Sequence, residues 1–107
     1  MVVTKLNEKD FSLRLAKLRE RMGVSARDMS LSIGQNPGYI NNIETGKSMP
    51  SLAGIFYICD YLEITPSEFF DLENKNPVKL QELINNLKQL DDNLLYHMSE
   101  IVRKLVE

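Results

Sequence analysis

The chain has 107 residues, which suits one domain, or one small domain plus an appendage. Hydrophobic residues make up 43% of it, which is too many for a disordered chain. No apolar run approaches the roughly 18 residues that a membrane-spanning helix needs, and the single cysteine, Cys59, cannot form a disulfide within the chain. Residues 1–50 carry eight Lys and Arg against five Asp and Glu, a net charge of +3, whereas residues 51–107 carry five against ten, a net charge of −5.

The first two predicted helices are defined by their caps and by one apolar face. Asn7 is expected to cap the first helix, and Gly23 to end it. Ser25 is expected to cap the second helix, with Asp28 completing a capping box and Gly34 ending it. Residues that recur at helical spacing are expected to face inward. They are Phe11, Leu15, Leu18 and Met22 in the first helix, and Met29 and Ile33 in the second.

The next three predicted helices are short and follow closely. Asn36 is expected to cap the third helix, with Pro37 at its first position, and Gly46 ends it. Pro50-Ser51 begins the fourth helix, and Thr65-Pro66-Ser67-Glu68 is a capping box that opens a fifth helix near Phe69 and Phe70. Inward positions are Ile40 and Ile43 in the third helix, and Leu52, Ile55, Cys59 and Leu62 in the fourth.

A polar linker, Glu73 to Asn76, separates this part from a second periodic segment. Two amphipathic stripes follow, interrupted by Asp91-Asp92-Asn93, which predicts a helical hairpin. The stripes are Leu80, Leu83, Ile84, Leu87 and Leu90, and then Leu94, Leu95, Met98, Ile101, Val102 and Leu105. A hairpin alone has too little core to be stable, so it must pack on something else.

The chain lacks the residue sets that enzymes use. His97 is the only histidine, and no Cys/His cluster of zinc-binding spacing surrounds it. Cys59 falls on an apolar face, as a small core residue does. The glycines match helix ends and a turn rather than a phosphate-binding loop. We therefore expect no enzyme activity, no metal site and no cofactor.

Several stretches together form a recognisable pattern. They are Leu18-Arg19, Gly23-Val24-Ser25, Ile33-Gly34, the run from Tyr39 to Lys47, Pro50-Ser51, Ile58 to Leu62, and Ile64 to Phe70. Over residues 8–71 the chain resembles the helix-turn-helix family of phage repressors and Cro proteins, often called the XRE family. The resemblance implies an all-α fold, with a five-helix repressor-like DNA-binding domain over residues 5–72. The C-terminal helical hairpin over residues 77–107, which the two apolar stripes predict, follows it.

The resemblance also implies that helix three lies in the major groove, where asparagine can make two hydrogen bonds to adenine. The DNA-facing residues that it implies are Arg27, Asn36, Pro37, Gly38, Tyr39, Asn41, Asn42 and Lys47. Arg27 follows Ala26, which stands where the family usually has a phosphate-binding glutamine, so Arg27 is expected to replace that contact. Asn41 and Asn42 could instead be solvated, and Tyr39 could either bond a phosphate or pack on helix two.

Two further positions follow from the resemblance. Arg19 in helix one and Glu44 in helix three match a family pair of a basic residue and a glutamate, which implies a structural ion pair that fixes helix three. Ser30 stands in helix two where the family usually has alanine.

These observations lead to two functional hypotheses. The first is a cytoplasmic, sequence-specific transcriptional regulator that binds double-stranded DNA as a homodimer on a two-fold operator. The alternative is a protein-interaction module, antitoxin-like or an adaptor, that keeps the fold but reads DNA weakly, since Ala26, Pro37 and Gly38 depart from what base reading requires. The hairpin either forms the dimer, packs on its own domain, or binds a protein partner; no membrane association is expected.

Overall fold

A computed structural model of the protein describes residues 7–107, which form seven α-helices and no β-strand. The helices are α1 (Glu8–Met22), α2 (Ala26–Ser32), α3 (Tyr39–Glu44), α4 (Leu52–Leu62), α5 (Pro66–Phe70), α6 (Pro77–Leu87) and α7 (Asp92–Val106). The all-α prediction is confirmed, although the predicted domain start at residue 5 lies outside the described residues. Among residues 7–107, no helix combines the length and the apolar composition needed to cross a membrane.

Side-chain caps begin α1, α2, α4 and α5 where the local sequence predicts them. The Asn7 and Asp10 side chains each accept a hydrogen bond from the other's backbone amide, at 3.0 and 3.1 Å, which completes a capping box. Ser25 accepts a hydrogen bond from the Asp28 amide at 3.0 Å. The predicted capping box at Ser25 is only half formed, because the Asp28 side chain does not return the bond. The helix starts are therefore encoded locally, within four residues of each cap.

Helices α1 to α5 enclose one apolar core, and the helix pairs that pack closely all lie among these five. The buried apolar side chains are Phe11, Leu15, Leu18, Met29, Ile40, Ile43, Ile58, Cys59, Leu62, Ile64 and Phe69. Burial raises the pKa of the Cys59 thiol to about 11, with Asp60 adding to the shift. Cys59 is thus a core residue whose thiol stays protonated near neutral pH.

Two residues that were predicted to face inward lie at the surface. Leu52 is 69% exposed, and Met22 is 38% exposed. The buried residues of α4 are Gly54, Ile58, Cys59 and Leu62, and Leu52 lies in line with Cys59 but two turns earlier, in the first turn of the helix. Met22 is the last residue of α1, where the helix runs past the core. Helical spacing identifies the apolar side of a helix, but it does not show how far along the helix neighbouring elements cover that side.

Helix α1 holds α5 by aromatic contacts and by a buried arginine. The rings of Phe11 and Phe69 have centroids 4.9 Å apart. Arg14 donates hydrogen bonds to the carbonyls of Glu68 and Phe69 at 2.8 and 2.7 Å, near the end of α5. Burial lowers the pKa of Arg14, and the nearby Asp71 carboxylate partly offsets this shift. Sequence reasoning gave Arg14 no role, because a cation beside an apolar stripe usually lies in solvent.

The last two helices extend from this core. Pro77, the first residue of α6, is buried, whereas no residue of α7 is buried. The Cα radius of gyration is 16.9 Å, against about 13 Å for a compact chain of this length. Helix α7 therefore does not add to the core of α1–α5, which was one of the arrangements left open by the sequence.

Candidate nucleic-acid interface

A tight turn joins α2 to α3, and main-chain hydrogen bonds close it. The Gly34 amide donates to the Leu31 carbonyl at 3.0 Å, and the Gln35 amide donates to the Ser30 carbonyl at 2.9 Å. Gly34 has a φ of +76°, in the left-handed region that residues with a Cβ rarely adopt. The chain can therefore change direction within a few residues, and α3 packs directly against α2.

The prediction that Asn36 caps α3, with Pro37 at its first position, is wrong. Helix α3 begins at Tyr39, and Gly38 is its N-cap. The Asn36 side-chain oxygen accepts from the Gly38 amide at 3.1 Å, and the Asn36 carbonyl accepts from the Tyr39 amide at 3.1 Å. Because an asparagine that bonds two residues ahead forms a local turn, residues 36–39 precede the helix instead of beginning it.

Ser30 supplies a hydrogen bond that the start of α3 otherwise lacks. Its hydroxyl is fully buried, donates to the Ala26 carbonyl at 2.7 Å and accepts from the Ile40 amide at 2.9 Å. Ile40 is the second residue of α3, so its amide has no carbonyl partner within the helix. A side chain of α2 thus caps α3 and links the two helices. The only sequence signal for this role was a serine in place of the family's usual alanine.

The structure brings Arg19 and Glu44 together in a two-pronged ion pair. Arg19 Nε and Nη2 donate to the two Glu44 carboxylate oxygens at 2.6 and 2.9 Å, and Nη1 donates to the Val24 carbonyl at 2.8 Å. The two side chains are only 16% and 10% exposed. The hydrogen bond to Glu44 raises the pKa of Arg19 in spite of the opposing effect of burial. One guanidinium therefore joins α1, the loop before α2 and the end of α3.

Ser12 forms a second link between α1 and α3 that sequence reasoning missed. Its buried hydroxyl donates to the Ile43 carbonyl at 2.7 Å. This carbonyl lies one residue before Glu44, so two contacts from α1 meet the last turn of α3. The inner side of α3 is thus held at both ends, by Ser30 at its start and by Ser12 and Arg19 at its end.

The opposite side of α3 carries Asn41 and Asn42, and the other predicted DNA-facing residues lie mainly on α2, in the turn before α3 and in the loop after it. Exposed residues of the set are Arg27, Asn36, Pro37, Asn41 and Lys47, and half-buried ones are Gly38, Tyr39 and Asn42. A Cβ at Gly38 would lie 3.8 Å from both the Asn36 amide oxygen and the Asn42 amide nitrogen. These two amides therefore flank Gly38 at the start of α3, where a larger residue at position 38 would contact both.

Tyr39 is half-buried, and its hydroxyl contacts α4, which the sequence did not predict. It packs on the core, and its hydroxyl lies against Gly54 of α4, where an added Cβ would be only 2.5 Å from the hydroxyl oxygen. Burial raises the pKa of this hydroxyl above its ordinary value. Tyr39 therefore presents a protonated hydroxyl beside the first turn of α4, and Gly54 is required for this close approach.

The fold and this surface together define a class of protein. A short helix is braced from behind by α1 and α2 and presents polar side chains to solvent, which is the arrangement of helix-turn-helix DNA-binding domains. A family model described as helix-turn-helix matches residues 15–69, just over half of the chain.

The chain therefore belongs to the helix-turn-helix family, in the class of the phage repressors and Cro proteins, and is a DNA-binding regulatory protein. Comparison with curated proteins and with solved structures gave no match.

Replacing Arg19 with alanine should lower the free energy of unfolding by about 3 kcal/mol, because Glu44 would keep a largely buried charge without its partner. Glu44→Ala should have a similar effect, and the double variant should lose less than the sum of the two. Urea unfolding of these variants and the parent measures the coupling. If each single variant lost less than about 1 kcal/mol, and the two losses simply added in the double variant, the pair would contribute no more than a surface ion pair.

Ser30→Ala should lower the free energy of unfolding by about 1–3 kcal/mol, since the buried Ile40 amide would lose its acceptor. Ser32→Ala is the matched control, because Ser32 is an exposed serine of the same helix. It should change stability by no more than about 0.5 kcal/mol. Thermal or urea unfolding checks both variants, and equal stability of the two would rule out the capping role of Ser30.

Proposed function

We propose that this protein is a sequence-specific transcriptional regulator that binds a two-fold operator as a dimer, with α3 in the major groove. The observation that carries this proposal is the two-sided environment of α3. Its inner side is fixed by Ser30, Ser12 and Arg19, while Asn41 is exposed on its outer side. Base reading requires such a helix, because hydrogen bonds to base edges depend on a fixed position of the side chains.

Asparagine side chains are the proposed readers of base edges. Asn41 and Asn42 lie on the groove-facing part of α3, and an asparagine amide can donate to and accept from one adenine. The side chains of Asn36 and Asn42 both lie next to Gly38. Pro37 and Gly38 carry no hydrogen-bonding side chain, so they would contribute shape and close approach of the backbone. Reading would then depend on a small number of amide contacts.

Phosphate contacts are proposed for the residues at the two edges of this surface. Arg27 on α2 and Lys47 after α3 are exposed cations, and Asn36 and Tyr39 add neutral donors. With these two cations in each copy, a dimer would neutralise about four phosphates through them. Affinity should then fall about a hundred-fold between 50 and 200 mM salt. The protein would thus rely on base contacts and on its second copy for specific binding.

The alternative hypothesis, a protein-interaction module, is favoured by different residues. Pro37 and Gly38 occupy positions before α3 where hydrogen-bonding side chains would add base contacts, and the half of the chain from residue 51 has a net charge of −5. Binding to DNA with a preferred sequence separates the two hypotheses, since only a regulator needs one.

Selection from a library of random DNA duplexes should enrich a short motif with two-fold symmetry. We expect two half-sites centred about one helical turn apart, roughly 34 Å, since each copy would place one α3 in the groove. Sequencing of the bound fraction gives the motif, and circular dichroism of the same preparation shows that the chain is folded. A folded protein that enriches no motif would exclude the regulator and leave the interaction module.

Asn42→Ala should weaken binding to the selected duplex by about ten-fold or more, because a good bidentate contact contributes roughly 1–3 kcal/mol. Asn86→Ala, at an exposed asparagine of α6, should leave the affinity unchanged. Fluorescence anisotropy at one fixed salt concentration measures both variants. Unchanged affinity and an unchanged motif for Asn42→Ala would remove this residue from the interface.

A further inference from the structure

A positively charged groove, here called the α1 groove, runs along one side of α1 beside the segment that follows α5. It is open to solvent and has a volume of about 610 Å³. Its charged lining consists of four cations and two carboxylates, which are Arg14, Lys17, Arg21, Lys75, Asp10 and Glu20. The lining therefore has a net charge of +2, whereas the whole chain has a net charge of −2.

The exposed cations of the α1 groove are not neutralised by neighbouring carboxylates. Within residues 7–107, Lys17, Arg21 and Lys75 form no ion pair. The Asp10 side chain is engaged in the capping box of α1, and Glu20 pairs with none of these cations. Lys17 and Arg21 lie one helical turn apart, where like charges repel each other. An anion from a binding partner would relieve this repulsion.

Arg14 adds a fixed positive charge to the wall of the groove. Its side chain is buried, and its Nε and Nη2 donate hydrogen bonds to the carbonyls of Phe69 and Glu68. Burial is the main cause that lowers the pKa of Arg14; Asp71 opposes this shift, and the positive charge of Arg21 adds to it. The two carbonyls carry no net charge, so the guanidinium keeps its own, offset in part by Asp71.

Two exposed leucines lie among these charges. Leu13 on α1 and Leu72 after α5 both line the groove, and they are 50% and 37% exposed. A nucleic-acid backbone offers phosphates to cations but makes no use of apolar side chains at the same site. A peptide with both carboxylate and apolar side chains satisfies both kinds of lining residue. The composition of the groove therefore favours a protein segment over a nucleic acid.

The α1 groove faces away from the proposed DNA-binding surface. Ser12 and Arg19 both contact α3, so they mark the side of α1 that faces α3. Lys17 and Arg21 lie about 140° and 180° around the helix from Ser12, since an α-helix has about 3.6 residues per turn. A duplex held by α3 would lie on the other side of the domain, so its phosphates would not compensate these cations.

We propose that the α1 groove binds a short acidic segment of a partner protein, with its carboxylates on the exposed cations and its apolar side chains on the two leucines. The stretch of α1 from Asp10 to Arg21 is about 16 Å long, so an extended segment of about five residues would fill the groove. This inference goes beyond the proposed function and requires neither DNA nor a second copy of the chain. A partner bound here leaves α3 free.

The probe for this site is a fluorescein-labelled peptide of two Glu-Glu-Leu-Leu repeats, and fluorescence anisotropy at one fixed salt concentration measures its binding to the full chain. Replacing Lys17 and Arg21 together by glutamate should weaken binding at least ten-fold, because it reverses the charge of one wall. Lys9→Glu is the matched control, since Lys9 is an exposed cation of α1 outside the groove. It should change the affinity by no more than about two-fold, and circular dichroism shows that the variants are folded.

Two results in this experiment would overturn the proposal. One is that the parent chain, titrated to 1 mM, does not bind the peptide. The other is that reversal of Lys17 and Arg21 weakens binding no more than Lys9→Glu does, which would show a general attraction between charges.

Two further probes separate a peptide site from a site for any polyanion. A peptide with serine in place of leucine should bind at least five-fold more weakly, because it makes no apolar contacts with Leu13 and Leu72. An excess of unlabelled duplex DNA of random sequence should not displace the acidic peptide, since the proposed DNA surface is on the other side of the domain. Equal binding of the serine peptide, or displacement by DNA, would overturn the assignment to a protein segment.

These measurements are independent of the proposed function. If the parent chain enriches no DNA motif but binds the peptide as expected, the regulator fails and the groove stands. If a two-fold motif is enriched but the peptide does not bind, the regulator stands and the groove fails.

Discussion

The guanidinium of Arg19 is the constraint on which the position of α3 depends. It bonds both oxygens of Glu44 and the carbonyl of Val24, and so fixes the end of α3 to the end of α1 and to the loop before α2. The planar, forked shape of arginine makes this possible, because a lysine could not bond both carboxylate oxygens and a third acceptor in one plane. Without it, the end of this six-residue helix would be held only by its short apolar face and by the hydrogen bond from Ser12.

The same physical solution recurs around the core. Ser12, Arg14 and Ser30 each bond a main-chain group of a different helix at 2.7 to 2.9 Å. These contacts satisfy backbone groups near helix ends, which apolar side chains cannot do. A core of short helices therefore uses buried polar side chains to set helix positions, while residues such as Leu15 and Ile43 supply the apolar burial. The outer side of α3, with Asn41, takes no part in this and is exposed to solvent.

The helices of the domain follow from local sequence to a large extent. Asn7, Ser25, Ser51 and Thr65 each accept a hydrogen bond from an amide three residues ahead, so their role depends only on near neighbours. Asn36 shows the limit of this reasoning. Its side chain bonds the amide two residues ahead instead, so an asparagine that could equally cap a helix forms a turn before α3.

The sequence by itself determined the all-helical fold, the caps of α1, α2, α4 and α5, most of the apolar faces, and the resemblance that implied a pair between Arg19 and Glu44, since these depend on spacing and residue type. Only the tertiary structure decided that Ser30 caps α3, that Arg14 is buried against α5, and that Tyr39 lies against Gly54. The same holds for α7, none of whose residues is buried within the described residues 7–107. Each of these depends on which residues meet across distant parts of the chain, and periodicity within one helix carries no information about the helix that packs against it.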